Sequence, residues 1–234
     1  MMRLVHAVRL ELTLQVRQRF LHAAIFSGLI WLAVLLPLSR NLRPVAEPYI
    51  LLGDTCIIGF FFVAGTVFFE KQERTLTAVV STPLRFWEYL AAKVIPLVSI
   101  SLAVAVVVPA ISHGFDFRLI PLVTGTVLGT LLMLLIGFST SLPFDSISDW
   151  FLAGTIPLAV MTVPPVLYYS GVWTNGLAYL VPTQGPLLLF GTAFHQISLS
   201  PWQVLYCVAY PLVWLAVLWR TAGPLFCRYV VARS

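Results

Sequence analysis

The sequence predicts an all-α integral membrane protein, on the evidence of its composition and of its apolar runs. Of the 234 residues, 59% are hydrophobic and 10% are charged, whereas a soluble globular domain carries about 25% charged residues. The apolar residues occur in runs close to the length that a helix needs to cross about 30 Å of hydrocarbon. No polar stretch is long enough for a separate soluble domain, so residues 1–234 are predicted to form a single transmembrane domain.

The first element is a basic leader, residues 1–19, which we predict to be a helix lying in the membrane interface. Val5, Val8, Leu12 and Val16 share one helical face, and the arginines of the leader would face anionic headgroups. An alternating, strand-like pattern also runs from position 10 to 16, but a lone strand beside a membrane has nothing to pair with. The apolar run that follows is long enough to span and no small-residue cleavage site follows it, which argues against a cleavable signal.

Six membrane spans follow, joined by short connections and one long charged loop. They are predicted at Phe20–Leu38, Tyr49–Phe69, Val94–Ile111, Leu119–Ser141, Phe151–Tyr169 and Pro201–Trp219. The stretch Pro186–Ser198, which follows the turn-forming sequence VPTQGP, is too short and too polar to cross. It predicts a re-entrant or interfacial element before the last span.

The distribution of Lys and Arg predicts the orientation. Eleven of the fourteen lie in the leader, the loop after span two and the C-terminal tail, whereas Arg40, Arg43 and Arg118 lie on the other side. Because Lys and Arg accumulate on the cytoplasmic side, both termini are predicted to be cytoplasmic. The net charge of +5 is therefore explained by the membrane, and we expect no nucleic-acid partner.

The loop after span two, residues 70–93, is the longest and most charged of the predicted cytoplasmic loops. Thr82-Pro83 has the pattern of a helix start, with Thr at the N-cap and Pro at the first helical position. Two interpretations stay open together: a solvated linker carrying a membrane-lying helix, and a docking surface for a cytoplasmic protein.

The sequence carries no motif for catalysis or nucleotide binding. It contains no G-x-x-x-x-G-K-[ST], H-E-x-x-H or G-x-S-x-G, and its three cysteines, Cys56, Cys207 and Cys227, have no metal-site spacing and are predicted to be small buried hydrophobes. We therefore expect no enzyme activity, no metal and no cofactor in this chain. The predicted spans also hold few of the charged groups that ion-driven carriers use, which favours an external motor acting on the loop after span two.

Asp54 is the acidic residue inside a predicted span. It is a candidate pathway residue near the outer end of span two, with Arg43 as a candidate partner; an interfacial carboxylate is the alternative. The small-residue spacing Gly125 to Gly129 predicts close helix packing, with a lipid-facing position as the alternative. The prolines of spans five and six predict kinks or hinges.

These features together resemble the ABC-2 family of ABC transporter permeases. The resemblance rests on the basic leader, the segment FFEKQERTLTAVVSTPLRFWEYLAAK and the stretch YLVPTQGPLLL. The loop features of that family match Glu70, Glu73, Arg74, Thr75, Leu76, Thr82, Pro83 and Lys93. Within the family, the stretches RLELTLQVRQ, GFFFVAGTVFFEKQERT, STPLRFWEYLAAK and PTQGPLLL are similar to mycobacterial fluoroquinolone export permeases.

The resemblance implies a permease of the bacterial plasma membrane that exports amphipathic drugs, with fluoroquinolone-type antibiotics as cargo. It implies a separate subunit that binds and hydrolyses ATP, and a second permease, either a sister subunit or a second copy. Residues 1–19 would be the connecting helix and 70–93 the coupling loop. The residues that would contact the ATP-binding subunit are Glu70, Lys71, Glu73, Arg74, Thr75, Leu76, Val79, Thr82 and Pro83.

Other functions stay open at this point. The same machine could export a lipid, a glycan precursor or heme, and the residues do not separate these cargoes. A membrane scaffold without transport and a membrane-embedded enzyme are further alternatives, although an enzyme would need polar residues clustered at one depth.

Overall fold

The structure is a computed structural model that describes residues 2–17, 19–73 and 85–230. It is all-helical over these residues, which confirms the predicted fold class. The helices are α1 (Met2–Arg17), α2 (Phe20–Leu35), α3 (Arg43–Gln72), α4 (Phe86–His113), α5 (Leu119–Ser141), α6 (Ile147–Tyr169), α7 (Gln184–Ala193) and α8 (Pro201–Tyr229), with a short 3₁₀ helix at Gly176–Leu180.

Five of these helices, α3 to α6 and α8, are long and apolar enough to cross a membrane. The count becomes six if Val8–Arg17 and Phe20–Leu35, which meet at 65°, form one broken span. The break occurs where Arg19 adopts a left-handed backbone conformation, with φ 63°. Helix α2 ends at Leu35 rather than at the predicted Leu38, because Pro37 has no N–H with which to continue the helical hydrogen bonds.

The leader forms a helix, as predicted. Two of its polar side chains face the bundle and three of its apolar side chains face outward, the opposite of the arrangement in a soluble protein. Glu11 and Gln15, one turn apart, are buried against the bundle, whereas Leu10, Leu12 and Val16 are exposed. Since lipid replaces water around a membrane protein, apolar side chains on the outer face suit an interfacial helix.

Helices α3 and α4 are longer than the spans predicted for them. α3 begins at Arg43, with a proline in its first turn where the missing N–H costs nothing. α4 begins at Phe86, where Glu88 Oε2 accepts a hydrogen bond from the Arg85 N–H at 3.0 Å, as the N3 residue of a capping box does. Helix α4 contains Lys93, and the helix start expected at Thr82-Pro83 stays a prediction. Thr82 and Pro83 themselves lie outside the described residues.

The centre of the bundle is the contact between α3 and α5. A π-helical segment of α3, Ile57–Phe62, crosses α5 so closely that a Cβ at Gly137 would lie 2.5 Å from the Phe60 carbonyl oxygen. A Cβ at Gly59 would lie 2.8 Å from the Thr130 carbonyl oxygen. The backbones of the two helices are therefore in direct contact, which small residues permit in membranes.

Helix α7 is the short element predicted before the last span. Its ten residues are all buried and extend about 15 Å, half the hydrocarbon thickness. Gly125 and Gly129 of α5 pack against it, contacting Phe190 and Pro186 respectively, so the predicted small-residue face meets protein rather than lipid. Non-spanning backbone at this depth is tolerated because protein surrounds it. Helices α6 and α8 run without a break through their internal prolines.

Candidate functional site

The two ends of the predicted coupling loop meet at a buried ion-paired cluster, which we call the joint. Lys93 of α4 is fully buried, and its Nζ lies 2.6 Å from Glu70 Oε1 of α3 and 3.2 Å from Glu11 Oε1 of α1. The Tyr89 hydroxyl donates to Glu70 Oε2 at 2.6 Å, and the Lys93 ammonium lies 5.0 Å from the centre of the Tyr89 ring. Three helices are therefore joined through one ammonium group.

The surroundings of the joint are apolar and aromatic. Tyr89 packs against Phe226 and Phe138 with ring centroids 5.5 Å and 6.4 Å apart, and Leu90 beside it is fully buried. Burial raises the pKa of the Glu11 carboxyl, while the neighbouring Lys93 lowers it. Charged side chains are stable in an apolar environment only when they are paired, because an unpaired buried charge costs folding free energy.

Lys71, the next residue after Glu70, ties the same end of α3 to the C-terminus of α5. Its ammonium donates to the carbonyl oxygens of Ser141, Leu142 and Phe144 at 3.2, 2.8 and 2.5 Å. A cation at the carbonyl end of a helix is favourable because it meets the negative end of the helix dipole. The loop therefore leaves α3 from a point that is fixed to both α4 and α5.

The structure places the predicted contact residues in three groups. Glu70 and Lys71 are held by contacts inside this chain, so a further contact with a partner stays a prediction for them. Glu73 is exposed at the end of α3, as a docking residue must be. The remaining residues lie outside the described part of the chain: Arg74, Thr75, Leu76, Val79, Thr82 and Pro83.

Sequence reasoning did not assign Glu11 or Tyr89 to this site. Glu11 is the only acidic residue among the arginines of the leader, and that isolation was the available signal. Tyr89 carried no signal of its own, because an aromatic residue near a span end is equally typical of an interfacial belt.

Asp54 lies about 16 Å from the start of α3, in the first half of that helix. It is 1% exposed, and its Oδ1 accepts hydrogen bonds from the Ser27 hydroxyl at 3.0 Å and the Trp31 indole N–H at 3.1 Å. Arg43 is not its partner: the guanidinium donates instead to the carbonyl oxygens of Leu36, Leu38 and Ser112. Asp54 thus joins α2 to α3 through neutral donors.

The cysteines divide into two environments. Cys56 and Cys207 are buried, as predicted, whereas Cys227 is exposed near the end of α8, where the prediction of a buried hydrophobe is wrong. Among the residues that the structure describes, no group of three His, Cys, Asp or Glu side chains could hold a metal ion.

Comparison with known proteins matches the whole chain to one family. The model of the fluoroquinolones export permease protein family matches residues 2–234. Fluoroquinolones export permease proteins of Mycobacterium tuberculosis strains CDC 1551 / Oshkosh and ATCC 25618 / H37Rv are each 70% identical over 234 residues, covering 100% of this chain and 99% of theirs.

Proposed function

The chain belongs to the fluoroquinolones export permease family, and on that premise we propose that it is the membrane subunit of an ATP-driven exporter of fluoroquinolone-type drugs. Its apolar helices make it a multi-pass protein of the bacterial plasma membrane. The observation that carries the proposal is the identity of 70% along the full length of two relatives that are named as fluoroquinolones export permeases.

An energy source outside this chain is consistent with what the helices contain. Ion-driven carriers use relays of charged groups inside the membrane. The buried carboxylate of Asp54 is hydrogen-bonded to the neutral groups of Ser27 and Trp31, an arrangement that holds two helices together. We therefore place ATP binding and hydrolysis in a separate subunit, with no catalytic residue in this chain.

The joint supplies a physical route by which that subunit would act. The ATP-binding subunit would contact exposed Glu73 and the segment 74–84 that follows it. Because Glu70 and Lys93 stand near the two ends of that segment and are paired at 2.6 Å, a push on the loop would move α3 and α4 together. Glu11 would carry α1 with them, since it binds the same ammonium.

From α3 the displacement would pass into the core of the bundle. At Gly59 and Gly137 the backbones of α3 and α5 are in direct contact, without a side chain of either glycine between them, and Lys71 fixes the end of α5 to α3. A second permease, a sister subunit or a second copy, would complete the pathway for the drug, while membrane lipid covers the exposed apolar faces of α6 and α8.

The proposal is tested with inside-out membrane vesicles that contain this chain together with the ATP-binding subunit that co-purifies with it. We expect ATP-dependent uptake of ciprofloxacin, used as the fluoroquinolone. The double reversal Glu73→Lys/Arg74→Glu should abolish uptake while the protein still inserts. A charge reversal at Arg118, on the side of the membrane predicted to lie opposite, is the control and should leave uptake unchanged.

Two results would count against the proposal. Unchanged uptake in the double reversal would remove the docking role of the loop. ATP hydrolysis stimulated by heme or by a lipid and not by ciprofloxacin would support an ATP-driven exporter, but one with a cargo other than fluoroquinolones.

A further inference from the structure

A second site lies at the opposite end of the molecule from the joint, where α8 begins. A pocket of about 420 Å³ opens there, lined by Tyr179 of the 3₁₀ helix and by Trp202, Gln203 and Tyr206 of α8. Small-molecule sites are concave, lined by aromatic side chains with a few polar groups, and enclose about 300–1,000 Å³. We call it the tyrosine pocket.

The wall of the tyrosine pocket is held in place by hydrogen bonds to backbone. The Tyr206 hydroxyl donates to the Tyr179 carbonyl oxygen at 2.6 Å, and the Tyr210 hydroxyl donates to the Leu180 carbonyl oxygen at 2.7 Å. The rings of Tyr206 and Tyr210 stack with centroids 5.4 Å apart and an angle of 19°. Tyrosines of a membrane belt direct their hydroxyls to the headgroups, whereas these two use theirs to fix the 3₁₀ helix against α8.

Two groups in the pocket remain able to bind a ligand. Trp202 is 73% exposed, so one face of a large flat ring is open at the mouth. The Tyr179 hydroxyl lies 3.3 Å from that of Tyr168, and because either rotatable hydroxyl can donate in this pair, Tyr179 can turn its proton to a ligand. Burial, followed by the neighbouring Tyr168, raises the pKa of Tyr179 to about 12, so this donor keeps its proton at neutral pH.

We propose that the tyrosine pocket binds planar aromatic cargo that carries a carbonyl or carboxylate acceptor, at the side of the membrane where cargo leaves. The ring system of the cargo stacks on Trp202, and its acceptor receives the hydrogen bond of Tyr179. A lipid tail offers neither a flat face nor an acceptor, so the pocket favours drug over lipid. This inference rests on the proposed function and adds to it a binding site and the chemistry that the site selects.

The test is a binding titration with the intact chain in lipid nanodiscs and ciprofloxacin as the probe, followed by the anisotropy of ciprofloxacin fluorescence. Trp202→Ala removes the stacking face, and Tyr179→Phe removes only the donor. An aromatic stacking contact and a neutral hydrogen bond are each worth about a 2- to 12-fold change in Kd, so we expect each variant to weaken binding by that amount. Phe115→Ala, which removes a ring that is 82% exposed outside the pocket, is the matched control.

A second readout locates the drug independently of affinity. Bound ciprofloxacin should quench the fluorescence of the nearest tryptophan most strongly, and Trp202→Phe keeps a stacking ring while it removes that reporter. We expect most of the drug-dependent quenching to disappear in Trp202→Phe. Because the Trp202 side chain is largely exposed, the helical circular dichroism and thermal unfolding of these variants should match the wild type.

The outcomes separate the inference from the proposed function. Wild-type Kd values in both Trp202→Ala and Tyr179→Phe, together with ATP-dependent uptake in vesicles, overturn the tyrosine pocket and leave the proposed function standing. Absence of ciprofloxacin binding by the wild type also overturns the inference. Absence of both binding and uptake overturns the two together.

Discussion

Replacing Lys93 by Met removes the cation of the joint and keeps most of the side-chain volume. Lys93 forms ion pairs with both Glu11 and Glu70, at 3.2 and 2.6 Å, and all three residues are buried. Removing one partner of a buried ion pair costs about 3–5 kcal/mol, because it leaves an uncompensated charge in a medium of low polarity. The variant leaves two carboxylates close together, so we expect a loss in the upper part of that range.

The loss should be measured as a shift in the thermal unfolding temperature of the purified chain in detergent. With about 2–4 °C per kcal/mol for a chain of this length, the upper part of that range, about 4–5 kcal/mol, corresponds to a fall in Tm of about 8–20 °C. Arg40→Met, which removes an exposed cation from the loop after α2, is the control and should change Tm by little.

The penalty should also depend on pH. Burial already raises the pKa of Glu11, and Lys93 is the group that lowers it most, so the variant should raise that pKa further above its unfolded value. Below the unfolded pKa both states are protonated and the penalty vanishes; it grows as pH rises through the region between the two values. A Tm equal to that of the wild type at neutral pH, or a deficit that grows on acidification, would refute the reasoning.

Three other perturbations test other parts of the structure. Gly137→Val should lower stability by about 1–3 kcal/mol or more, since its Cβ would meet the Phe60 carbonyl oxygen at 2.5 Å, whereas Gly176→Ala, with open space around it, should have little effect on the same unfolding measurement. Asp54→Asn keeps an acceptor for Ser27 and Trp31, so thermal unfolding should be preserved and vesicle uptake should fall if the charge serves transport; full uptake would assign Asp54 to packing alone. In a Cys227→Ser background, an impermeant maleimide applied to intact cells should label Phe115→Cys and not Glu73→Cys, and the reverse pattern would invert the predicted orientation.

The fold class and the short element before α8 could be predicted because they depend on local properties of the chain. A run of apolar residues near 20 long predicts a spanning helix wherever it occurs, and the ten residues of α7 are too few to span. The turn-forming residues at Pro182 and Gly185 predict the change of direction before α7. None of these inferences requires knowledge of which helices are neighbours.

The joint could not be predicted, since its partners are far apart in the sequence. Lys93 lies 82 residues from Glu11, and Glu88, Tyr89 and Lys93 together resemble the polar residues of a loop. Helix α4 extends over them because Glu11 and Glu70 neutralise Lys93 and so permit its burial. The burial of Asp54 has the same origin, because Ser27 and Trp31 supply hydrogen bonds from another helix.

The joint is better explained by the relative positions of the helices that it fixes than by any contribution to the stability of the fold. Replacing all members of such a cluster with neutral residues is often neutral or stabilising, so Glu11→Gln/Glu70→Gln/Lys93→Met should recover most of the Tm that Lys93→Met loses. The triple variant would still lack the short, directional bonds that hold α1, α3 and α4 in one register. We therefore expect it to be stable and yet to take up ciprofloxacin poorly in the vesicle assay, with weak coupling to ATP hydrolysis. Wild-type uptake by a stable triple variant would show that packing alone transmits the motion.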